Sequence, residues 1–367
     1  MKKSIKSIFL VITAGLFLTS CSLINKTGSA KTPEIRNVIL MIGDGMGVDA
    51  VYAAMSVSKL PLNMEKCPVT GFQKTYSENR YITDSGASGT AIATGKKTNN
   101  GAIGVDPAGN RLRSVLEIAE ENGLATGLVS TSAVTHATPA SFIAHQANRN
   151  NYEDIAADFL KTDIDVFIGG GYDHFAKRAD NLNLIDSLKA RGYAVETSMN
   201  SIIGSTSPKL AGLIAPEHSP YRLNGRGEML SLATRKAIDL LKEDRDGFFL
   251  MVEGSQIDWA AHAHHADTLV SEVLDFDQAA GVALDFAKTD GHTLVIITAD
   301  HETGGVTIIG GNNKIQSVRL SFSTTEHSAV MVPVFSYGPG SDKFSGVYDN
   351  TDIFHKIIGL YDFPTEK

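Results

Sequence analysis

The sequence predicts an α/β fold in which helices cover both faces of a mostly parallel central sheet, giving a three-layer sandwich. Short apolar runs rich in β-branched residues alternate along the chain with segments of helical periodicity. Continuous apolar runs are typical of strands buried on both faces, and helices that join parallel strands bury them in this way. The chain has 367 residues, 43% hydrophobic and 20% charged, which is sufficient for one large domain of this class.

Six apolar runs predict strands, and five segments of helical periodicity predict helices. The strand runs are NVILMIGDG (37–45), LATGLVSTS (124–132), DVFIGGG (165–171), FFLMVEGS (248–255), HTLVIITAD (292–300) and AVMVPVFSYG (329–338). The helical segments are 113–123, 151–161, 180–191, 228–243 and 265–288. Segment 197–226 is rich in Ser, Pro and Gly and predicts a long surface loop. No second independent domain is indicated, so one catalytic domain is predicted over 35–367.

The N-terminus predicts an export signal over residues 1–20. A basic head of Lys2, Lys3 and Lys6 precedes an apolar run that is too short to span a membrane, and small residues precede Cys21. This pattern resembles the lipobox of bacterial lipoproteins, and the alternative is a plain signal peptide with a chance cysteine. We therefore expect a lipid on Cys21, a polar tether over 21–34 and a place in the bacterial cell envelope, as a periplasmic or outer-membrane lipoprotein.

Charge and cysteine content argue against a nucleic-acid-binding protein and against a disulfide-stabilised one. Removal of the three N-terminal lysines moves the formal net charge from -8 to about -11, and an acidic exported protein is a poor partner for nucleic acid. If Cys21 carries a lipid, Cys67 is the only other cysteine and no internal disulfide can form. Stability must then come from the core or from bound metal ions.

Carboxylates and imidazoles follow several of the predicted strands. Asp44 follows the first strand, Glu253 ends the fourth, Asp300 and His301 end the fifth, and His327 precedes the sixth. Asp258 and His262 are four residues apart and share a face of a helical turn, a spacing that suits Zn²⁺ but also suits an ordinary surface ion pair. Strand ends of an open α/β sheet gather at one edge, and burying so many charges there without metal would be costly. The pattern favours a metal cluster.

The segment TDSGASGTAIATG (83–95) has the composition of a flexible linker, since it consists almost entirely of Gly, Ala, Ser and Thr. A second interpretation is a helix whose small residues allow an anion to approach its N-terminus.

Five motifs together resemble the alkaline phosphatases, in the same order and across residues 41–330. They are IGDGMG (42–47), TDSGASGTAIATG (83–95), VEGSQIDWAAH (252–262), TADHETGG (298–305) and EHSAV (326–330). The resemblance implies an alkaline-phosphatase-like fold and metal-dependent hydrolysis of phosphate monoesters to an alcohol and inorganic phosphate. It also implies that Ser85 is the nucleophile and forms a phosphoserine, so that segment 83–95 opens a helix rather than a linker.

The resemblance further implies the residues that hold the metals and the phosphate. One Zn²⁺ would be held by Asp258, His262 and His327, and a second by Asp44, Asp300 and His301. A third ion, usually Mg²⁺, would take Asp44 as a bridge together with Thr138 and Glu253. Arg149 matches the phosphate-binding arginine, and a solvated surface arginine is the alternative.

Two residues occupy positions that vary within the family. His136 stands where some members have Asp, and its imidazole could favour Zn²⁺ at the third site or act there through a water molecule. Trp259 stands where some members have Lys or His. Both are candidates for contact with the substrate. A sulfatase is disfavoured, because the segment DSGAS lacks the Pro and Arg of the sulfatase motif. A phosphodiesterase is disfavoured, because such relatives commonly use Thr where this chain has Ser85. A binding protein that captures phosphate or zinc without chemistry is a third alternative. A homodimer is possible, and the physiological phosphomonoester stays open.

Overall fold

The computed structural model describes residues 35–363 and places fourteen strands among them. The predictions of an export signal, a lipid on Cys21 and a tether over 21–34 lie outside the described residues. The strands are β1 Asn37–Gly43, β2 Val69–Lys74, β3 Ala125–Ala133, β4 Val166–Gly170, β5 Ala194–Glu196, β6 Leu210–Leu213, β7 Phe248–Gly254, β8 Thr293–Thr298, β9 Glu302–Thr303, β10 Val306–Asn312, β11 Ser317–Phe322, β12 His327–Ser328, β13 Val332–Tyr337 and β14 Gly346–Asp349.

Twelve α-helices connect these strands within the same residues. They are α1 Val48–Val57, α2 Ser85–Thr94, α3 Val115–Glu121, α4 Ala137–Ala140, α5 Tyr152–Asp158, α6 Tyr172–Ala176, α7 Leu184–Ala190, α8 Met199–Gly204, α9 Met229–Leu241, α10 Gln256–His262, α11 Ala266–Asp290 and α12 Thr351–Tyr361. Within residues 35–363, no helix combines the length and the apolar character that a membrane span requires.

Ten strands form one sheet in the order β14-β2-β13-β8-β1-β7-β3-β4-β6-β5. Strand β13 is antiparallel to both of its neighbours, whereas the other pairs in this sheet are parallel. The prediction of a mostly parallel central sheet is confirmed. The antiparallel strand β13 contains Pro333, which lies opposite β2 and precedes the residues that pair with β8.

The hydrophobic core lies in two layers, one on each face of the sheet. Along β1, Val38, Leu40 and Ile42 pack into one cluster, whereas Ile39 and Met41 pack into the other. Successive side chains of a strand point to opposite faces, so a strand covered by helices on both sides is apolar throughout. All seven residues of β1 are buried, which confirms the three-layer architecture.

The prediction of a long surface loop over 197–226 is wrong in part. This segment contains α8 and the fully buried β6, which pairs with β4 and β5 in the central sheet. Four residues of sequence LAGL are too short to show a period, and the surrounding Ser, Pro and Gly hide them. Residues 214–221 of the same segment return to the site described next.

Cys67 is a free, buried cysteine in the second core layer. The described residues fall within one compact unit of residues 33–367. The boundary of the catalytic domain at residue 35 stays a prediction.

Candidate active site

The candidate site lies where four adjacent strands end at one edge of the sheet. In the order β8-β1-β7-β3, these strands are followed by or end in Asp300, Asp44, Glu253 and the turn that leads to His136. Parallel strands that lie side by side bring their carboxyl ends together, and ligands of open α/β sheets bind there. The sheet therefore assembles residues that are up to 256 positions apart in sequence.

Helix α2 brings Ser85 to this edge. Asp84 caps the helix, because its Oδ1 accepts a hydrogen bond of 2.9 Å from the Ala87 amide, and Ser85 is the first helical residue. All ten residues of α2 are buried, and a Cβ on Gly89 would come within 2.9 Å of Ser141 Oγ, so the packing requires small residues. The linker interpretation is excluded.

The first ligand group consists of Asp258, His262 and His327. The Nδ1 atoms of the two histidines lie at hydrogen-bond distance from backbone carbonyls, that of Thr325 for His262 and that of Thr83, at 2.8 Å, for His327. If each Nδ1 donates its proton there, each Nε2 keeps a free lone pair. The two Nε2 atoms are 3.2 Å apart and lie 3.2 and 3.5 Å from Asp258 Oδ1, so three ligand atoms converge on one point.

The second group consists of Asp44, Asp300 and His301, all fully buried. His301 Nε2 lies 3.4 Å from Asp44 Oδ1 and 3.3 Å from Asp300 Oδ2. Ser85 Oγ lies 3.2 Å from the same Nε2. The other oxygen of Asp300 is held by the amide of Gly45 at 3.1 Å, which aims Oδ2 at the group. The side chain of Ser85 therefore touches this second ligand group directly.

The third group lies between β1, β3 and β7. Ligand atoms of Asp44, His136 and Glu253 lie within 4.8 Å of one another, and Thr138 Oγ1 lies 3.5 Å from Asp44 Oδ2. Asp44 thus has one oxygen facing the second group and the other beside the third. His136, which the resemblance placed only near this group, is close enough to belong to it.

Burial and neighbouring charges shift the pKa values of residues in the second and third groups. Burial and the nearby Asp300 raise the pKa of Asp44 well above its usual range. Burial and the charge of Asp258 likewise raise the pKa of Asp300 to about 7. Burial also lowers the pKa of His136 to about 3, so this imidazole is neutral at physiological pH.

In the first group the pKa shifts run in the opposite direction and favour a charged carboxylate and a charged imidazole. Burial opposes ionisation of Asp258, but hydrogen bonding with His262 and His327 outweighs it and holds the pKa of Asp258 well below its usual range. Hydrogen bonding with Asp258 raises the pKa of His262 to about 9. This group can therefore form an ion pair without metal, the alternative that its spacing left open.

Unpartnered buried atoms indicate that the second and third groups are built for cations. Asp44 Oδ1, Glu253 Oε1, Asp300 Oδ2 and His136 Nδ1 are buried and make no hydrogen bond. Buried polar atoms are nearly always paired, and unpaired ones cost about 1–3 kcal/mol each. Three carboxylate oxygens and one imidazole nitrogen are the donor types that Zn²⁺ and Mg²⁺ use, so the residues fit bound metal ions.

Arg149 lies at the N-terminus of α2, beside Ser85. Its Nη1 donates a hydrogen bond of 2.8 Å to Asp84 Oδ2, and the same oxygen accepts one of 3.0 Å from the Gly101 amide. Proximity to Asp84 raises the pKa of Arg149 against the effect of burial. The alternative of a freely solvated surface arginine is excluded.

Trp259 packs against two histidines at the side of the third group. Its ring meets His218 edge-on at 4.7 Å and His136 at 5.7 Å between centroids. His218 Nδ1 accepts a hydrogen bond of 3.1 Å from the Ala133 amide, which fixes that ring. His218 belongs to residues 214–221, and the sequence showed no motif that could have assigned it to the site.

Several residues that support the site carry no sequence signal of their own. Asp84 holds Arg149, Thr303 donates a hydrogen bond to Asp258, and Ser88 donates one of 2.6 Å to the Asp300 carbonyl. Asp84 and Ser88 lie inside the recognised motif, so their proximity to Ser85 was visible in the sequence. Their partners are 65 and 212 residues away, and only the fold reveals them.

Comparisons with known proteins identify the family of the chain. The model of the family "Alkaline phosphatase" matches residues 35–321. Alkaline phosphatase 4 of Bacillus subtilis is 37% identical, with 95% of each chain covered. The alkaline phosphatase of Escherichia coli K12 is 32% identical and is covered over 85% of its length by 88% of this chain.

The fold of a solved relative is closely similar as well. The structure of the alkaline phosphatase from the Antarctic bacterium TAB5 superposes with a TM-score of 0.87 at 42% identity, over 91% of this chain and 100% of that one. The chain therefore belongs to the alkaline phosphatase family, whose members hydrolyse phosphate monoesters through a phosphoserine intermediate.

Proposed function

We propose that Ser85 is the nucleophile of this reaction and that the three ligand groups around it hold two Zn²⁺ ions and one Mg²⁺ ion. The observation that carries the proposal is the position of Ser85 Oγ, 3.2 Å from His301 Nε2 at the N-terminus of a buried helix. A serine hydroxyl is a weak nucleophile unless a base or a metal activates it. Bound metals would supply that activation and offset the charge of the phosphoryl oxygens.

The metal assignment follows the donor types. Asp258, His262 and His327 would hold one Zn²⁺, and Asp44, Asp300 and His301 the second, since imidazole with carboxylate suits this ion. Asp44, Thr138 and Glu253 offer oxygens, which suit Mg²⁺. The lone pair of His136 Nδ1 beside them favours Zn²⁺ as the competing ion at this third site.

The protein residues carry the substrate through two displacements. Ser85 Oγ loses its proton as it attacks phosphorus, the bond from phosphorus to the ester oxygen breaks, and the departing alkoxide takes up a proton to leave as the alcohol. Water then attacks the phosphoserine, the bond from phosphorus to Ser85 Oγ breaks, and Ser85 regains a proton as inorganic phosphate is released. Arg149 would grip phosphoryl oxygens with the N–H groups that Asp84 does not occupy, since a guanidinium fork matches two such oxygens. The N-terminus of α2 adds backbone amides and a favourable dipole.

Hydrolysis of p-nitrophenyl phosphate tests the proposal. We expect activity that rises toward alkaline pH, is lost after treatment with EDTA, and returns with Zn²⁺ plus Mg²⁺. Absence of activity in the metal-loaded protein would contradict the proposal, and diesters, sulfate esters and simple phosphate binding would then be tested in that order.

Trp259 and His136 are proposed to border the phosphate site. A structure of a His-to-Asp variant of the TAB5 enzyme has Mg bound in its M3 site, which supports a role for a histidine in the choice of ion there. For this chain we infer that His136→Asp shifts the third site toward Mg²⁺, because it replaces a nitrogen ligand by a carboxylate oxygen. Metal content after equilibration with both ions measures this preference.

The substitution Trp259→Lys is expected to strengthen product inhibition. An ammonium group near the phosphate would add an attraction that the indole lacks, so the inhibition constant for inorganic phosphate should fall by about tenfold. Inhibition constants of the variant and the wild type, measured at the same pH and salt, check this. An unchanged constant would mean that Trp259 only packs against His136 and His218.

The proposed location is inferred from the N-terminal sequence, and the proposed assembly from the family resemblance alone. We infer that the protein is exported to the cell envelope and anchored by a lipid on Cys21, and that a homodimer can form. Labelling with radioactive palmitate should mark the wild type and not Cys21→Ala.

A further inference from the structure

We propose that Ser130 and Ser255 are positioning residues that fix one oxygen of Glu253 and leave the other for the metal of the third site. The inference rests on the proposed function, because it takes Glu253 as a ligand of that metal. It adds two residues that touch neither the substrate nor the ion.

The register of two neighbouring strands places the serines around the carboxylate. In the parallel pair β3 and β7, Ser130 lies directly opposite Glu253, so their side chains point to the same face of the sheet. Ser255 follows Glu253 by two residues, at the turn into α10. Both serines and Glu253 are fully buried, so water does not compete for their hydrogen bonds.

The two oxygens of Glu253 have opposite surroundings. Oε2 lies 2.5 Å from the hydroxyl of Ser130 and 2.5 Å from that of Ser255, and both serines donate to it. Oε1 is buried and makes no hydrogen bond. This free oxygen belongs to the carboxylate that lies within 4.8 Å of ligand atoms of Asp44 and His136.

The hydrogen-bond distances show which acceptor each serine hydroxyl uses. Each hydroxyl has a single hydrogen, and the amide of Ser132 donates to Ser130 Oγ at 3.0 Å and to Ser255 Oγ at 3.2 Å. Ser130 Oγ also lies 2.9 Å from Ser255 Oγ, and Ser255 Oγ lies 3.0 Å from Ser132 Oγ, but Oε2 at 2.5 Å is the nearest acceptor for both hydroxyls. Oε2 is therefore fixed by both serines, and Oε1 is the oxygen left without a protein partner.

The distance to Oε2 separates Ser132 from the other two serines. Its hydroxyl is 3.3 Å from Oε2 but also 3.2 Å from its neighbour's carbonyl, on Ala133, and 2.9 Å from Ser130 Oγ. Its contact with Oε2 is longer than the 2.5 Å contacts of the other two serines, so it contributes little to holding the carboxylate. Ser132→Ala is therefore a matched control for Ser130→Ala and Ser255→Ala, because it removes the same atom from the same cluster.

The experiment titrates Mg²⁺, and Zn²⁺ in parallel, into protein that carries Zn²⁺ in the other two sites, using calorimetry. Partners of a metal ligand typically change metal affinity by about 10–100-fold when they are removed. We expect Ser130→Ala and Ser255→Ala to weaken binding at the third site within this range and Ser132→Ala to weaken it by less than about threefold. Ser130→Thr, which keeps the hydroxyl, should restore most of the affinity.

Control measurements separate a loss of binding at the third site from a loss of folding. Zinc content and melting temperature of every variant show whether the fold and the first two sites are intact. The inference is overturned if Ser130→Ala and Ser255→Ala bind the third ion as tightly as the wild type, or if Ser132→Ala weakens it equally. If the wild type binds no third ion while the other sites are filled, the third-site assignment fails, and this inference fails with it while Ser85 is unaffected.

Discussion

Replacing Ser85 by alanine is expected to lower kcat for p-nitrophenyl phosphate by roughly 10³-fold or more, because it removes the atom that attacks phosphorus. Residual hydrolysis would come from water positioned by the same charges. The substitution removes one hydroxyl whose described contact is with His301 Nε2, at 3.2 Å, so the ligand groups should keep their metals. The measurement is steady-state hydrolysis together with metal content.

Covalent labelling distinguishes loss of the nucleophile from loss of the site. Wild-type protein quenched with acid during turnover should carry phosphate on the peptide that contains Ser85, and Ser85→Ala should carry none. Ser336→Ala is the control, because Ser336 is a buried serine in β13 whose hydroxyl donates to the Ser341 carbonyl. Full activity in Ser85→Ala would remove the phosphoserine assignment.

Replacing Asp44 by asparagine is expected to lower kcat/KM by about 10³-fold or more and, at the same time, to stabilise the metal-free protein. Asp44 has one oxygen at the second ligand group and one beside the third, so loss of its charge weakens two metal sites. Without metal, the same charge is buried near Asp300 and is unfavourable.

The sign of the stability change depends on pH. The folded-state pKa of Asp44 lies well above its usual value of 3.8, so the folded state binds a proton that the unfolded state has lost. Below about pH 3.8 the Asp44 carboxyl does not destabilise the folded state. Its destabilising effect grows as the pH rises from the unfolded-state pKa to the folded-state pKa. The amide side chain of the Asp44→Asn variant does not titrate, so the stabilisation should be on the order of 1–3 kcal/mol at pH 8 and vanish near pH 4.

Denaturant unfolding of EDTA-treated protein at the two pH values measures this effect, and elemental analysis measures the metals. The control is Asp277→Asn, because Asp277 is buried but accepts hydrogen bonds from the Asn63 and Met64 amides. Burial raises the pKa of Asp277 as well, but both of its oxygens accept backbone N–H groups, so an amide there would set one donor against another. This control should therefore lose stability and keep its metals. Destabilisation of metal-free Asp44→Asn at pH 8 would show that Asp44 is a structural residue and not a ligand.

The strands of the sheet and the residues that support the site could be predicted from the sequence only in part. Apolar runs predicted β1, β7 and β8, because strands buried on both faces are apolar throughout. Strand β6 was missed, since its four residues depend on pairing with β4 and β5 rather than on a local pattern. Ser130 beside Glu253 depends on the register of two strands that are 123 residues apart, which no local motif encodes.

The sequence by itself determined the class of the fold and the family, and it predicted the groups that carry the chemistry. These properties are local, since apolar periodicity, helix caps and short motifs are read from consecutive residues. The tertiary structure decided that Asp84 holds Arg149, that His136 joins the third group and that one oxygen of Glu253 is left without a partner. Those properties depend on which strand ends become neighbours and on which buried atoms remain unpaired, and both arise only when the sheet is assembled.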